Sequence, residues 1–400
     1  MNLTEKLFIN IIANYINDVP VDERLIEQMD VERMKELVRI HKVAAISYTI
    51  LKQYPVDKQF LDYIERGFLV EVMFHQKKIN TLSLIKNIFS ENNIECLCVK
   101  GCHICKLYPN PEFRTMGDLD ILVKEEDMIH IKELFVQKGM DFVPENSYDN
   151  VWNFRYRGTE IEIHSNLISE GRMMNDYDYK SFFKDAFEHK VRLDEQTYKL
   201  EDEYNLTYTL FHIAKHFYNS GCGVRMLMDI PVMVNKFDLD WDRLWHTLKE
   251  IKLEEFSIRL FRICEKWFGQ FGVRYPKDYN LNECEDFTPV EDFILAGGIY
   301  GFHNRNTDAD VIKMKINEKG GKGSYIKGAL IWAFPGCKRM REYSPWFRNK
   351  PAVLLPIAYI ERFIRNAKER GGIIKWGRNV FTGKRDLKEK EKILDIMRIK

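Results

Sequence analysis

At 400 residues and 45% apolar content, the chain has core material for two or three domains. No apolar run approaches the roughly 18 residues of a membrane span. The opening MNLTEKLFINIIANYI places polar and acidic residues within helical apolar spacing, unlike a signal peptide. The eight cysteines, at 96, 98, 102, 105, 222, 264, 284 and 337, show no framework spacing, which predicts reduced thiols and a cytoplasmic protein. The net charge of +1 conceals an asymmetry. Residues 338–400 carry 18 Lys and Arg against 7 Asp and Glu, a net of +11, while residues 1–337 carry 43 against 53, a net of −10. A basic tail on an acidic body predicts an anionic partner for the tail, RNA or a membrane surface to which the protein is peripheral, or else packing of the tail on the acidic body itself.

Residues 1–90 read as an N-terminal helical region. Leu7, Ile11, Ile12, Tyr15 and Ile16 lie at helical spacing, and Asp30 is placed to cap a helix through Met34, Leu37, Val38 and His41. Lys58 to Phe89 predicts one or two further helices. The period changes at Ile94, where IECLCV reads as a buried strand, followed by a helix from Cys102 to Leu107 that Pro109-Asn110-Pro111 ends. A second strand carries Gly117-Asp118-Leu119-Asp120-Ile121-Leu122-Val123. A helix over 125–137 stops at Gly139, and strands follow at Val151–Tyr156 and Thr159–His164, with Gly158 at their turn. This predicts an α+β fold, with a small mixed sheet over 91–200 flanked by helical regions. Residues 201–316 are helical again, with Leu206, Leu210, Ile213, Ala214 and Phe217 on one stripe and further helices at Met226–Phe237 and Trp241–Ile251. NEKGGKGS at 317–324 reads as a linker opening a basic, aromatic tail over 317–400, with Trp332, Phe334, Trp346, Phe347, Tyr359, Phe363 and Trp376. Its segment AVLLPIAYIERF, 352–363, has the flanking cations of an interfacial helix. Cations interleaved with aromatics also suit RNA.

On a strand, Asp118 and Asp120 point the same way, because alternate side chains share a face. Two such carboxylates repel unless a cation sits between them, and hard oxygen ligands suit Mg²⁺. An isolated Asp-x-Asp reads equally as a solvated pair before a buried strand. The neighbouring segments change that balance. Glu160, Glu162 and His164 share one face of their strand, and an adjacent strand would bring a glutamate beside the Asp pair. Three carboxylates can hold two Mg²⁺ ions about 3.5–4 Å apart, as in phosphoryl transfer. Lys100-Gly101 closes a strand and opens a helix, where a lysine and free N–H groups favour a triphosphate. Arg114 would hold a phosphate oxygen or pair with a carboxylate. His212 and His216, four apart on one helix face, lack the further ligands of a zinc site. His164, His216 and Arg225 are candidates for the cleft. Cys102-His103-Ile104-Cys105 has no second pair and predicts neither metal nor redox chemistry.

Together, Lys100-Gly101, the Pro turn, Arg114, Gly117–Val123 and Glu162-Ile163-His164 resemble the DNA polymerase β-like nucleotidyltransferase superfamily, in its largely uncharacterised bacterial branch. The resemblance spans about residues 35–240 and includes His41-Lys42-Val43, Leu210–His216 and Arg225–Ile230. It implies that Asp118 and Asp120 are the metal-binding pair and Glu162 the third carboxylate. It also implies an NTP substrate such as ATP, two Mg²⁺ ions with Mn²⁺ as the alternative, and transfer of a nucleoside monophosphate to an acceptor hydroxyl with release of pyrophosphate. The acceptor would be a small molecule, a protein or RNA. Lys100-Gly101 stands where the superfamily usually has Gly-Ser, and Ser165 follows His164 where the branch often has an aromatic. The alternative is a catalytically silent nucleotide-binding or adaptor protein of the same fold. That reading predicts a lost carboxylate, and the triad is intact.

Overall fold

A computed structural model describes residues 1–299, 301, 334–348, 350–369 and 388–399, apart from 145–146, 148–149, 169–173, 220 and 280–285. The chain divides into two compact units, Met1–His303 with Met397–Lys400, and Asn304–Ile396.

The first unit opens with helices α1 (Leu3–Asn17), α2 (Glu23–Glu27), α3 (Val31–His41), α4 (Ala44–Leu51) and α5 (Lys58–Glu91). Asn2 and Glu5 form a reciprocal capping box on α1, and Asp30 caps α3 as its position predicts. The Lys58–Phe89 segment is one continuous helix of 34 residues. Gly67 in its first half lets α4 cross closely, since a Cβ there would lie 2.7 Å from that of Ala44. One turn on, the buried Glu71 accepts hydrogen bonds from the N–H groups of Ala44 and Ala45, closing the start of α4. Burial pushes the Glu71 pKa up to about 7, against the lowering effect of those two bonds. A carboxyl that binds its proton more tightly when folded stabilises the fold less as pH rises from the unfolded value of 4.5 to about 7. Glu71→Gln is therefore expected to gain stability relative to wild type between pH 5 and 8, by up to ~3 kcal/mol. Denaturant midpoints across that range check it, and a pH-independent difference would remove the assignment.

The sheet follows, with β1 (Cys96–Cys98), α6 (Gly101–Ile104), β2 (Leu119–Val123), α7 (Met128–Gln137), β3 (Asp141–Phe142), β4 (Val151–Tyr156), β5 (Thr159–His164), α8 (Tyr179–Phe182), β6 (Lys190–Arg192) and β7 (Thr197–Leu200). Its seven strands run in the order β3-β4-β5-β2-β1-β7-β6. Leu119, Ile121, Val123, Ile161 and Ile163 lie on one face, against Leu82, Ile85 and Phe89 of α5 and Met128, Ile131 and Phe135 of α7. Strand alternation then sends Asp120, Glu162 and His164 to the opposite face. β2 and β5 pair in parallel with Asp120 directly across from Glu162. The β4–β5 hairpin turns through Arg157 and Gly158, both at positive φ (47° and 72°). The strands β3, β6 and β7 have only two to four residues each, too few for a clear period-two pattern, and the sequence reading does not contain them.

The face bearing Asp120 is met by a helical layer, α9 (Asp202–Asn219), α10 (Val224–Lys236), α11 (Trp241–Glu250), α12 (Glu254–Phe268) and α13 (Thr288–Gly297). The predicted stripe of α9, Leu206, Leu210, Ile213, Ala214 and Phe217, is buried throughout. Helix α1 packs on α12, which closes the N-terminal helices onto this layer.

In the second unit, α14 (Cys337–Tyr343) and α15 (Leu355–Glu369) enclose a small core of Met340, Phe347 and Ala358. The expected linker at 317–324, Trp332 and Trp376 lie outside the described residues. So does Cys284; the other seven cysteines are free thiols. Among the described residues, no helix is long and apolar enough to cross a membrane.

Candidate active site

The site is built at the end of β1 and the start of β2. Lys100 leaves β1 with φ 48° and ψ −128°, a conformation costing a non-glycine residue ~1–3 kcal/mol. Gly101 follows because space is short. A Cβ there would lie 3.0 Å from Arg114 Nη1 and 3.1 Å from Met116 Cγ. Helix α6 is a single turn, and the amides of Cys102, His103 and Ile104 are taken by the carbonyls of Val99 and Lys100. The free N–H groups expected at this helix start are thus largely engaged by backbone.

Lys100 Nζ donates to Asp120 Oδ1 at 2.5 Å. His164 Nε2 lies 3.2 Å from the same oxygen and 3.3 Å from Glu162 Oε2. Among the described residues, Asp120, Glu162 and His164 are the His, Cys, Asp or Glu side chains whose ligand atoms all lie within 4.8 Å of one another. Two carboxylate oxygens and an imidazole nitrogen, already attracting an ammonium, form a donor set that fits a divalent cation. Asp118 stands just before β2, in the bend that enters it, and so outside this trio. The strict alternation assumed from sequence begins only where the strand does. Asp118 is nevertheless close enough that the Asp120 charge, followed by burial, lifts its pKa to about 6. Burial also works against the charge on Asp120. The Lys100 ammonium and the His164 hydrogen bond outweigh it and hold that carboxyl below its ordinary value. His164 is raised because its bonds to Asp120 and Glu162 outweigh the effect of burial.

The segment leading to Asp118 is fastened from three directions. Arg114 forms a bidentate pair with Asp229 of α10, with both contacts at 2.7 Å, and the Tyr108 hydroxyl donates to the same carboxylate. Arg114 therefore pairs with a carboxylate, though one of the helical layer and not Asp118, Asp120 or Glu162. Arg225 Nη1 donates to the Thr115 carbonyl at 2.5 Å, and Lys78 Nζ to that of Met116 at 2.7 Å. Lys78 escaped the sequence reading, because one lysine within a long mixed helix carries no local signal.

A cavity of about 170 Å³ opens between the sheet and the helical layer. Lys100, Gly101, Arg114, Asp118 and Asp120 line one side, and Tyr208, His212, His216 and Arg225 the other. His216 and Arg225 thus face it as their motifs suggested. Glu162 and His164 reach the same carboxylate cluster from β5. The Nε2 atoms of His212 and His216 are 3.1 Å apart. Burial and neighbouring cations lower the pKa of His216 to about 4, and burial lowers that of His212 as well, so both are shifted toward the neutral imidazole. Among the described residues, no third side chain joins them as a metal ligand. Cys102 and Cys105 are buried thiols, and among the described residues neither nitrogen of the intervening His103 has a hydrogen-bond partner.

Carboxylates from neighbouring strands, facing a cation-walled cavity under a helical layer, define the class of sites that transfer phosphoryl or nucleotidyl groups. The family model of an uncharacterised nucleotidyltransferase matches residues 27–269. The chain belongs to that nucleotidyltransferase family. No curated protein and no solved structure matches it.

Proposed function

We propose that the protein transfers a nucleoside monophosphate from an NTP to an acceptor hydroxyl at the Asp118–Asp120–Glu162 site. The observation that carries this reading is the parallel register that sets Asp120 opposite Glu162, with His164 bonded to both. Asp118, Asp120 and Glu162, with His164 beside them, would hold the divalent ions, Mg²⁺ or in its place Mn²⁺. Bound there, two such ions would offset the clustered negative charge and lower the pKa of an acceptor hydroxyl.

The chain's own groups divide the remaining work. Lys100, Arg225 and His216 present the positive and hydrogen-bonding surface for the triphosphate. Glu162, less buried than Asp120, accepts the proton of the acceptor hydroxyl. As that oxygen bonds to the α-phosphorus, the bond to the bridging oxygen breaks and pyrophosphate leaves. The His164 imidazole keeps Glu162 and Asp120 in fixed relative positions. A silent, adaptor-like protein would have no need for this complete set of converging carboxylates.

The test is incubation of the full-length protein with each labelled NTP, Mg²⁺ and a cell extract. Label transferred to a discrete acceptor, with pyrophosphate released, supports the reading. Tight NTP binding without turnover in any such mixture would favour the silent alternative. Arg225 supplies a narrower prediction. Arg225→Met is expected to raise KM for the NTP about ten- to hundredfold, the loss of a charge-assisted contact, with Arg225→Lys recovering part of it. Steady-state kinetics showing an unchanged KM would remove Arg225 from the phosphate side.

A further inference from the structure

Helix α15 is apolar on two faces, and the core formed by the described residues of its unit takes up only one. Its inner face sets Ala358, Leu355 and Tyr359 against Met340 and Phe347. On the other side, Ile357, Ile360 and Ile364 are 50–60% exposed, and Val353, in the turn before the helix, is 80% exposed. Their spacing keeps them in one stripe. Trp346, 45% exposed, lies in the preceding 3-10 turn. Glu361, in the same helix, is already engaged. It accepts from the Ser344 hydroxyl at 2.8 Å and pairs with Arg365 at 2.9 Å. Arg341, Arg348 and Lys350 are exposed, within a region of net charge +11.

We infer that this face docks on an anionic lipid surface, with α15 lying in the plane of the interface and its isoleucine stripe in the acyl boundary. The stripe gains from an apolar phase. An exposed tryptophan suits the headgroup level, and the exposed cations of the same unit are attracted to acidic headgroups. An amphipathic stripe or a basic cluster alone binds membranes weakly, and here both are present together. RNA would satisfy the cations and leave four aliphatic side chains in water. A second copy of the chain would bring two strongly basic regions together.

The test is flotation of the full-length protein with vesicles of phosphatidylcholine plus phosphatidylglycerol, and with vesicles of phosphatidylcholine alone. Binding is expected to the anionic vesicles and to weaken as NaCl rises. Ile357→Glu/Ile360→Glu changes exposed positions, and circular dichroism confirms that the variant is folded. It should bind at least about tenfold more weakly, given the burial of two isoleucine side chains that it forfeits. Absence of flotation with anionic vesicles at low salt overturns the inference. So does flotation that the double variant retains, which would mean adsorption by basic residues alone. A wild-type dimer that the double variant makes monomeric, without vesicle binding, would reassign the face to contact between copies.

Discussion

Asp120→Asn is expected to lower metal-dependent pyrophosphate release by about 10²–10³-fold or more, the scale set by removing one charged element of a transition-state site. Asp120 is the hub of the cluster. It meets Lys100 and His164 directly and faces Glu162 across the β2–β5 register. An amide there removes an anionic ligand and leaves the Lys100 ammonium without its counter-charge, so some loss of stability accompanies the loss of rate. Asp118→Asn separates the two effects, because the Asp120 charge and burial both oppose ionisation of Asp118. It should also lose turnover, while removal of that repulsion leaves the protein at least as stable to urea as wild type at pH 7. Pyrophosphate release at the wild-type rate in a folded Asp120→Asn protein would sink the mechanism.

The second large effect is structural. Arg114 and Asp229 are both nearly inaccessible, and their bidentate pair is the strongest polar link between the Asp118 segment and the helical layer. Burial opposes the Arg114 charge, yet the Asp229 carboxylate holds its pKa above the ordinary value. Removing one partner strands the other charge in a low-dielectric site, at a cost of ~3–5 kcal/mol. Arg114→Met is therefore expected to destabilise the protein by that amount. Arg114→Met/Asp229→Leu should recover much of it, since two apolar residues leave no buried charge. Urea denaturation of the two variants decides the matter. A single variant as stable as wild type would mean that Arg114 is free to serve the nucleotide.

Much of the site could be read from local spacing. The alternation in Leu119–Val123 and Thr159–His164 placed Asp120, Glu160 and Glu162 on one strand face and the isoleucines on the other, because a strand's side-chain period does not depend on what surrounds it. The helical stripes of α1, α3 and α9 were legible for a similar reason, as was the Asp30 cap. The small strands β6 and β7 were not, since so few residues carry no period and the pairing of β7 with β1, which joins them to the sheet, is a long-range event. Lys78 was invisible because its partner, the Met116 carbonyl, lies 38 residues away.

The opening motif, Lys100 to Asp120, shows where the division falls. Local sequence was enough to say which residue types sit at the strand ends and which faces they occupy. Tertiary structure alone decided the partners. It set β5 on one side of β2 and β1 on the other, which brings Glu162 across from Asp120 and the end of β1 beside it. It assigned Lys100 to Asp120 and Arg114 to Asp229, and it gave Asp118 a place in the bend before the strand. Periodicity is a property of a few consecutive residues. Pairing depends on chain packing that brings segments tens or hundreds of residues apart within hydrogen-bond distance.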